Sequence, residues 1–176
     1  MNKTKDEEFS DNRVNVLGVG ISPINLDIAE ELIFEAIESG EQGYVGVTGV
    51  HGVSEAQSDP KFKDILNNTF LNTPDGMPMV WYARLNGYKK VSRVYGPDLM
   101  LNICSRSTEC DVKHFFYGGR EGIAEKLKSN LKEKFPGIQV VGTYTPPFRP
   151  LTNDEEIEVR NKINDSGAHC IWVGLS

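Results

Sequence analysis

The sequence predicts an α/β protein with a Rossmann-like parallel sheet and helices on both faces, folded as a single domain. Short apolar segments rich in β-branched residues alternate along the chain with segments that carry apolar residues at helical spacing. The apolar segments are continuous, which is typical of parallel strands that crossover helices bury on both faces. The length of 176 residues suits one domain with a full hydrophobic core.

The first elements follow this alternation. Residues 1–12 are polar and predict a disordered lead-in, so the folded core is expected to span residues 13–176. The apolar run Val14–Ile21 predicts one buried strand. The next segment predicts a helix in which Asp27 is the N-cap and Glu30, three residues on, completes a capping box.

Turn residues delimit the remaining elements. The first helix is expected to end at Gly40, and Pro60 is expected to split the next helical segment in two. The last helix is expected to begin after Thr152 or Asn153. Further strands are predicted in YVGVTGV, TFLNTP, KHFFYGG, IQVVGT and AHCIWVGLS, and further helices in MPMVWYARLNG, GPDLMLNICSRS, REGIAEKLKSNLKEKF and TNDEEIEVRNKINDSG.

Composition and charge restrict the class of protein. The formal net charge is -6, so the overall field does not favour nucleic acid, and an anionic ligand needs a local site. The three cysteines are not in CxxC spacing, which indicates reduced thiols rather than a disulfide framework. The polar N-terminus does not resemble a signal peptide, and no apolar run is long enough to span a membrane. A membrane role is therefore expected to be peripheral.

The chain reaches Ser176 directly after a predicted strand. In open α/β sheets, ligands bind at the carboxyl ends of strands. The loop that would follow this strand is missing from the sequence, so we expect a truncated chain.

A carboxylate stands at one predicted strand end. Asp75 follows the strand TFLNTP and lies between Pro74 and Gly76. Burial beside apolar neighbours raises the pKa of a carboxyl group toward the range of a general base. Asp-Gly after Pro also suits an ordinary turn, in which the Asp side chain bonds its own backbone. Both interpretations are open from these residues alone.

Other polar residues follow predicted strands or turns. Arg93 can bind a phosphate with two parallel hydrogen bonds or form a surface ion pair. Thr48 and His51 follow the second strand, and His51 either exchanges a proton with a ligand or packs against the next helix. Asp98 suits a helix cap.

Two glycine- or proline-rich segments in the second half are candidate ligand sites. Gly118, Gly119 and Gly122 connect a strand to a helix, where free N–H groups attract phosphate, although such glycines also serve the turn alone. Their GGxxG spacing is not the dinucleotide GxGxxG. Tyr144 and Arg149 belong to the proline-stiffened loop GTYTPPFRPLT, which suits a base or phosphate, or simple packing. The histidines lack metal-ligand spacing and no Asp-x-Asp pair occurs, so neither metal nor cofactor is expected.

Several motifs together resemble the WecG/TagA/CpsF glycosyltransferases of bacterial cell-surface polymers, and the exopolysaccharide-type members most closely. In family order they are VLGVGISPINLD, VTGVHGVSEAQSDP, NTPDGMPMVW, RVYGPDLM, FFYGGREGIAEKL, FPGIQVVGTYTPPFRPL and IWVGLS. They cover nearly all of the chain from Asn15 onward. The chain departs from the family at Gly49 and Val50, because members often have Asn near the position of Thr48.

The resemblance implies an inverting, metal-independent enzyme that moves a hexose or N-acetylhexosamine from a UDP-sugar to a sugar on undecaprenyl diphosphate. Asp75 matches the carboxylate proposed as the base, Thr48 a polar residue of the catalytic pocket, and Arg93 an arginine that steadies the leaving diphosphate. Gly118, Gly119 and the following helix resemble the nucleotide-binding half of the fold.

The resemblance also implies partners and a location. Members continue past VGLS with an appendage that completes the nucleotide site and docks at the membrane, so this chain is expected to lack that part. A homo-oligomer at the inner face of the cell membrane is expected. The chief alternative is a Rossmann-like oxidoreductase that binds NAD(P) or another nucleotide, which the absent GxGxxG disfavours. A non-catalytic binding domain is the third possibility.

Overall fold

The protein is represented by a computed structural model that describes residues 12–175. The predicted lead-in over residues 1–12 and the final Ser176 therefore lie outside the described residues, Asn12 excepted. The chain divides into two compact units, an N-terminal unit up to Leu101 and a C-terminal unit from Asn102 onward. Parallel strands alternate with helices in both units, so the predicted α/β class is confirmed. The single domain stays a prediction.

A hairpin opens the N-terminal unit. Strands β1 (Val14–Val16) and β2 (Val19–Ile21) pair in antiparallel register, so the prediction of one continuous strand is wrong. Leu17 and Gly18 form the connecting turn with φ values of 53° and 85°. Two consecutive positive φ angles are typical of the tight turns whose twist matches that of a hairpin. The apolar pattern concealed this turn because Leu17 continues the run although its side chain is exposed.

Helix α1 (Leu26–Ser39) begins two residues earlier than predicted. The side chain of Asn25 accepts a hydrogen bond of 2.9 Å from the backbone N–H of Ile28, so Asn25 is the N-cap. Asp27 lies in the first turn, where a carboxylate interacts favourably with the helix dipole, and its prediction as the cap is wrong. Gly40, with φ of 74°, ends the helix as predicted.

The remaining elements build the core of the N-terminal unit. Strand β3 (Val45–Thr48) pairs in parallel with β4 (Leu71–Pro74). The predicted break at Pro60 is confirmed, since Asp59 accepts hydrogen bonds from the N–H groups of Lys61 and Phe62. The helices are α2 (Val50–Ser58), α3 (Pro60–Asn67), α4 (Met77–Leu85) and α5 (Gly96–Arg106), the last of which contains the division between the units.

The C-terminal unit contains a three-stranded parallel sheet in the order β6-β5-β7. Its strands are β5 (Lys113–Gly118), β6 (Gln139–Tyr144) and β7 (Cys170–Gly174), and its helices are α6 (Ile123–Lys134) and α7 (Asn153–Asp165). Thr152 caps α7 in a complete capping box with Glu155, which decides between the two predicted caps.

His114 is a fully buried polar residue in the sheet of the C-terminal unit. Its Nδ1 accepts a hydrogen bond of 3.1 Å from the indole N–H of Trp172, and the two rings stack. The proton of the neutral ring is therefore on Nε2, which has no hydrogen-bond partner among the described residues. Burial, with a smaller effect of His169, lowers the pKa of His114 to about 4.

This burial predicts acid sensitivity below neutral pH. In the unfolded chain the imidazole takes up a proton near its ordinary pKa of 6.5, whereas the folded protein resists protonation down to about 4. The free energy of unfolding is therefore expected to fall as the pH drops from 6.5 to 4, at up to about 1.4 kcal/mol per pH unit. Urea unfolding across this range measures the slope.

His114→Gln is expected to flatten this decline, because the amide does not titrate. His51→Gln is the matched control and is expected to keep the decline, since His51 is exposed on α2. An identical slope in His114→Gln and the wild type would show that other groups cause the acid sensitivity.

Candidate active site

The carboxyl ends of β3 and β4 bring two of the predicted site residues together. Thr48 is the last residue of β3 and pairs in register with Pro74, and its carbonyl oxygen accepts a hydrogen bond of 3.0 Å from the N–H of Asp75. Thr48 is buried. The two residues therefore lie on neighbouring parallel strands, at the edge where α/β proteins bind ligands.

Gly49 has a steric reason to be glycine. A Cβ atom at this position would lie 2.9 Å from the carbonyl oxygen of Asp75, which is too close for any larger residue without a shift of the backbone. Gly49 therefore permits a close approach of the two strand ends.

Arg93 reaches the same strand end from a distant part of the chain. The N–H of Val94 donates a hydrogen bond of 2.9 Å to the carbonyl oxygen of Pro74, which holds this segment beside β4. The guanidinium Nε of Arg93 lies 3.0 Å from Oδ1 of Asp75. The guanidinium carbon Cζ of Arg93 lies 4.4 Å from the ring centroid of Tyr95. Tyr95 thus covers one face of the guanidinium, a contact that favours the cation.

The Asp75–Arg93 ion pair bears on both interpretations of Asp75. The residue does lie in a turn, since Gly76 has φ of 101°, but its side chain makes no capping bond to α4. Within residues 12–175, Oδ1 is bonded to Arg93 and Oδ2 accepts no hydrogen bond. The carboxylate faces a guanidinium instead of the apolar neighbours that the sequence predicts. Its free oxygen can accept a proton from a ligand hydroxyl.

His51 stands apart from this pair. It is the second residue of α2, its side chain is 88% exposed, and its Nε2 lies 3.4 Å from the carboxylate of Glu55 one turn along the helix. The alternative prediction that His51 packs against the next helix is therefore wrong. A role for His51 in binding substrate stays a prediction.

In the C-terminal unit, the predicted glycine turn is shaped by backbone contacts. Gly118, Gly119 and Gly122 all have positive φ angles, of 120°, 74° and 78°. The N–H of Gly119 donates to the carbonyl oxygen of Gly174 at 2.9 Å, and the N–H of Ile123 donates to that of Arg120 at 3.0 Å. Two of the N–H groups that the sequence offered to a phosphate are therefore already used.

A cavity of about 430 Å³ opens beside this turn in the C-terminal unit. Gly122 and Tyr144, both predicted site residues, line it, and Lys162 and two glutamates contribute its charge. The sequence patterns did not predict the remaining residues of the cavity wall, because these come from separate elements and share no motif. The full lining is Glu121, Gly122, Glu125, Thr143, Tyr144, Thr145 and Lys162.

Tyr144 offers an aromatic surface in this cavity. Its ring stacks on that of Tyr117 with a centroid distance of 5.7 Å, and the ammonium of Lys162 lies 5.4 Å from its centroid. Glu125 accepts a hydrogen bond of 3.0 Å from the hydroxyl of Thr143 on the same wall. An aromatic ring beside carboxylates suits a nucleoside, because the ring can stack on a base and carboxylates accept hydrogen bonds from ribose hydroxyls.

Arg149 is held by the start of α7. Its two Nη atoms bond the carboxylate oxygens of Glu155 at 2.7 and 2.6 Å, and this pair lowers the pKa of Glu155 to about 2. This ion pair favours the alternative in which the loop that carries Arg149 simply packs on the protein. Phe148, the residue before Arg149, is nevertheless fully exposed. Phosphate binding by Arg149 stays a prediction.

Within residues 12–175, no group of three or more His, Cys, Asp or Glu side chains is arranged to hold a metal ion. The same part of the chain contains no helix with the length and apolar character needed to cross a bilayer.

Open α/β sheets bind their ligands outside the carboxyl ends of the strands, and the Asp75–Arg93 pair lies at such an end. The model of the glycosyl transferase WecG/TagA/CpsF family matches residues 14–176. The chain therefore belongs to this family of glycosyltransferases, and the resemblance is confirmed.

Two curated relatives are both named N-acetylglucosaminyldiphosphoundecaprenol N-acetyl-beta-D-mannosaminyltransferase. The protein from Bacillus spizizenii is 28% identical over 121 residues, which cover 69% of this chain and 45% of the relative. The protein from Bacillus subtilis is 24% identical over 87 residues, which cover 49% of this chain and 34% of the relative. The chain thus spans less than half of the length of the relatives it matches.

Proposed function

We propose that this chain carries the catalytic part of an inverting, metal-independent glycosyltransferase. It moves a hexose or N-acetylhexosamine from a UDP-sugar to a sugar on undecaprenyl diphosphate, at the inner face of the cell membrane. The observation that carries the proposal is the Asp75–Arg93 pair at the ends of parallel strands, in a chain of this glycosyltransferase family. The relatives' names supply the acceptor class, N-acetylglucosaminyldiphosphoundecaprenol.

The pair offers the two groups that an inverting transfer needs. The acceptor hydroxyl gives its proton to Asp75, while its oxygen forms a bond to the anomeric carbon of the donor sugar. The bond from that carbon to the diphosphate oxygen breaks on the opposite face, and UDP leaves with the electron pair. In this scheme Arg93 balances the charge that develops on the diphosphate, so the positive charge does not have to come from a metal.

Arg93 must release Asp75 in part for this step. In the structure its Nε bonds Oδ1, and its side chain is 47% exposed, so the remaining donors of the guanidinium can reach solvent or a ligand. Stacking on Tyr95 fixes the plane of the guanidinium. A fork of donors held in one plane suits the oxygens of a diphosphate.

The cavity of the C-terminal unit is proposed, by itself, as a site for a nucleoside. In this proposal Tyr144 stacks on the base, and Glu121 and Glu125 accept hydrogen bonds from the ribose hydroxyls. Because the cavity wall carries two carboxylates and one ammonium, its charge does not favour a diphosphate. The cavity therefore suits a base and a ribose better than phosphates.

Isothermal titration with UDP, ATP and NADH tests the nucleotide assignment. UDP is expected to bind and NADH is not, since the chain lacks the dinucleotide motif. Tyr144→Ala is expected to weaken UDP binding roughly tenfold, the size of one lost base–aromatic stack. Phe148→Ala is the control, because Phe148 is exposed and does not line the cavity. Binding of NADH in place of UDP would favour the oxidoreductase alternative.

Arg93→Ala is expected to lower the transfer rate by roughly 2–4 kcal/mol of transition-state stabilisation, as for the loss of one electrostatic donor. Arg93→Lys is expected to recover only part of this loss, because an ammonium lacks the planar fork. Single-turnover measurement of UDP release gives the rate. Arg160→Ala is the matched control, since Arg160 is exposed on α7 of the C-terminal unit, far in sequence from Asp75. An unchanged rate in Arg93→Ala would make Arg93 a structural residue.

A further inference from the structure

Helix α4 is apolar on two sides, although only one side packs into the protein. Met79, Val80 and Ala83 are buried in the core of the N-terminal unit. Met77, Trp81 and Leu85 lie on consecutive turns of the helix, and 41%, 58% and 86% of their surfaces are exposed. We call these three residues the α4 stripe. Exposed apolar surface of this kind is typical of sites that bind a protein or a membrane.

The chain around the α4 stripe is basic. Residues 75–98 contain Arg84, Lys89, Lys90 and Arg93 against Asp75 and Asp98, although the whole chain has a formal net charge of -6. Because Asp75 pairs with Arg93, the excess positive charge comes from Arg84, Lys89 and Lys90. Lys89 and Lys90 are exposed in the turn that follows α4. The positive charge is therefore concentrated beside the apolar surface.

Hydrogen bonds hold the basic turn at the end of the α4 stripe. The guanidinium of Arg84 donates from Nε and Nη2 to the carbonyl oxygen of Val91, at 3.2 and 3.0 Å. The backbone N–H of Tyr88 donates to the carbonyl oxygen of Ala83 at 3.2 Å. Lys89 and Lys90 therefore stay close to Leu85, and the apolar and cationic groups form one surface.

We propose that the α4 stripe, together with Lys89 and Lys90, binds the surface of an anionic lipid bilayer. Helices that lie in the membrane interface bury Trp and Leu among the acyl chains and place Lys or Arg at the anionic headgroups. Tyr82, which is 43% exposed on the same helix, has the amphipathic ring that is enriched at this depth.

Charge favours a bilayer over a second copy of the chain as the occupant. In a symmetric dimer the same patch faces itself, so the basic turns of two copies would approach each other. The flanking acids are Asp75, which already pairs with Arg93, and Asp98, which lies in the first turn of α5 and not on the stripe. An anionic headgroup layer supplies the missing negative charge without such repulsion.

The α4 stripe starts two residues after Asp75 and extends about 12 Å along the helix. In the proposed function, a bilayer bound at this stripe brings the acceptor diphosphate near the candidate base. Only this consequence rests on the proposed function. This surface belongs to the N-terminal unit. It is distinct from the C-terminal appendage to which the family resemblance assigns membrane docking.

Flotation with vesicles tests the proposal without substrate or acceptor. The wild-type chain is expected to float with vesicles of equal parts phosphatidylglycerol and phosphatidylcholine, and much less with phosphatidylcholine alone. W81S/L85S is expected to lower the partition coefficient roughly tenfold or more, because two apolar side chains are lost. K89Q/K90Q is expected to lower it about fivefold for each lysine and to reduce its dependence on salt.

The matched control is F148S/I157S, which removes two exposed apolar side chains from the C-terminal unit and is expected to float like the wild type. Thermal melting checks that each variant is folded. The proposal is overturned if the wild type does not bind anionic vesicles, or if W81S/L85S floats equally well. It is also overturned if sedimentation velocity shows a wild-type dimer that W81S/L85S dissociates, since the stripe would then be an interface between copies. Since no nucleotide is present, these results do not depend on the proposed transfer.

Discussion

Asp75→Asn is expected to lower the rate of sugar transfer by roughly 10²–10⁴-fold, the usual contribution of a general base. The amide has the shape of the carboxylate but cannot take the proton of the acceptor hydroxyl. Its oxygen can still accept the hydrogen bond that Arg93 donates to Oδ1 over 3.0 Å. UDP binding is therefore expected to stay close to that of the wild type, so that the loss falls on the transfer step.

The transfer rate is measured as UDP release, with a lipid-diphosphate acceptor and a form of the protein that turns over. Titration calorimetry gives the affinity for UDP. Asp98→Asn is the matched control: Asp98, like Asp75, follows a proline, but it lies in the first turn of α5. It is expected to keep the transfer rate. Turnover like that of the wild type in Asp75→Asn would disprove the assignment of the base.

Gly118→Ala is expected to destabilise the C-terminal unit by roughly 2–5 kcal/mol, because strain and overlap act together. Gly118 has φ of 120°, a conformation that residues with a side chain rarely adopt. A Cβ atom there would lie 2.2 Å from the carbonyl oxygen of Gly174. Gly118 and Gly174 are the last register pair of β5 and β7, so relief requires the strands to separate at that end.

Urea unfolding measures the loss, and Gly174→Ala provides a matched control within the same strand pair. A Cβ atom at Gly174 would meet nothing within 4 Å, so this variant is expected to stay within about 1 kcal/mol of the wild type. Equal stability of the two variants would contradict the close approach of β5 and β7 at this point.

Local features of the sequence predicted most of the element boundaries. Gly40, the break at Pro60 and the cap at Thr152 were readable because a helix end depends on residues within one turn of it. The errors fall where two neighbouring residues or two local structures suit the sequence almost equally well. Leu17 continues an apolar run yet forms a turn, and Asn25 and Asp27 are both good caps, of which the chain leaving β2 uses the earlier.

The candidate site shows a similar division. The residues alone leave Asp75 and Arg93 each with an ordinary alternative, and the family resemblance predicts that both belong to one cleft. Their direct hydrogen bond was not predicted, because nothing in a linear pattern reports a contact across 18 residues. Tyr95 beneath the guanidinium was missed, as was Lys162 in the cavity of the C-terminal unit. Conversely, the free N–H groups expected at the glycine turn are partly occupied by backbone carbonyls.

By itself, the sequence determined the α/β class and, apart from the β1–β2 hairpin, the order of the strands and helices. These follow from periodicity and turn residues, which are properties of short segments. The roles proposed for the carboxylate and the arginine come from the family resemblance. Only the tertiary structure decided that Asp75 pairs with Arg93, that Arg149 pairs with Glu155, and that one side of α4 is left exposed. Such facts depend on which segments pack together, and packing joins residues that the sequence keeps far apart.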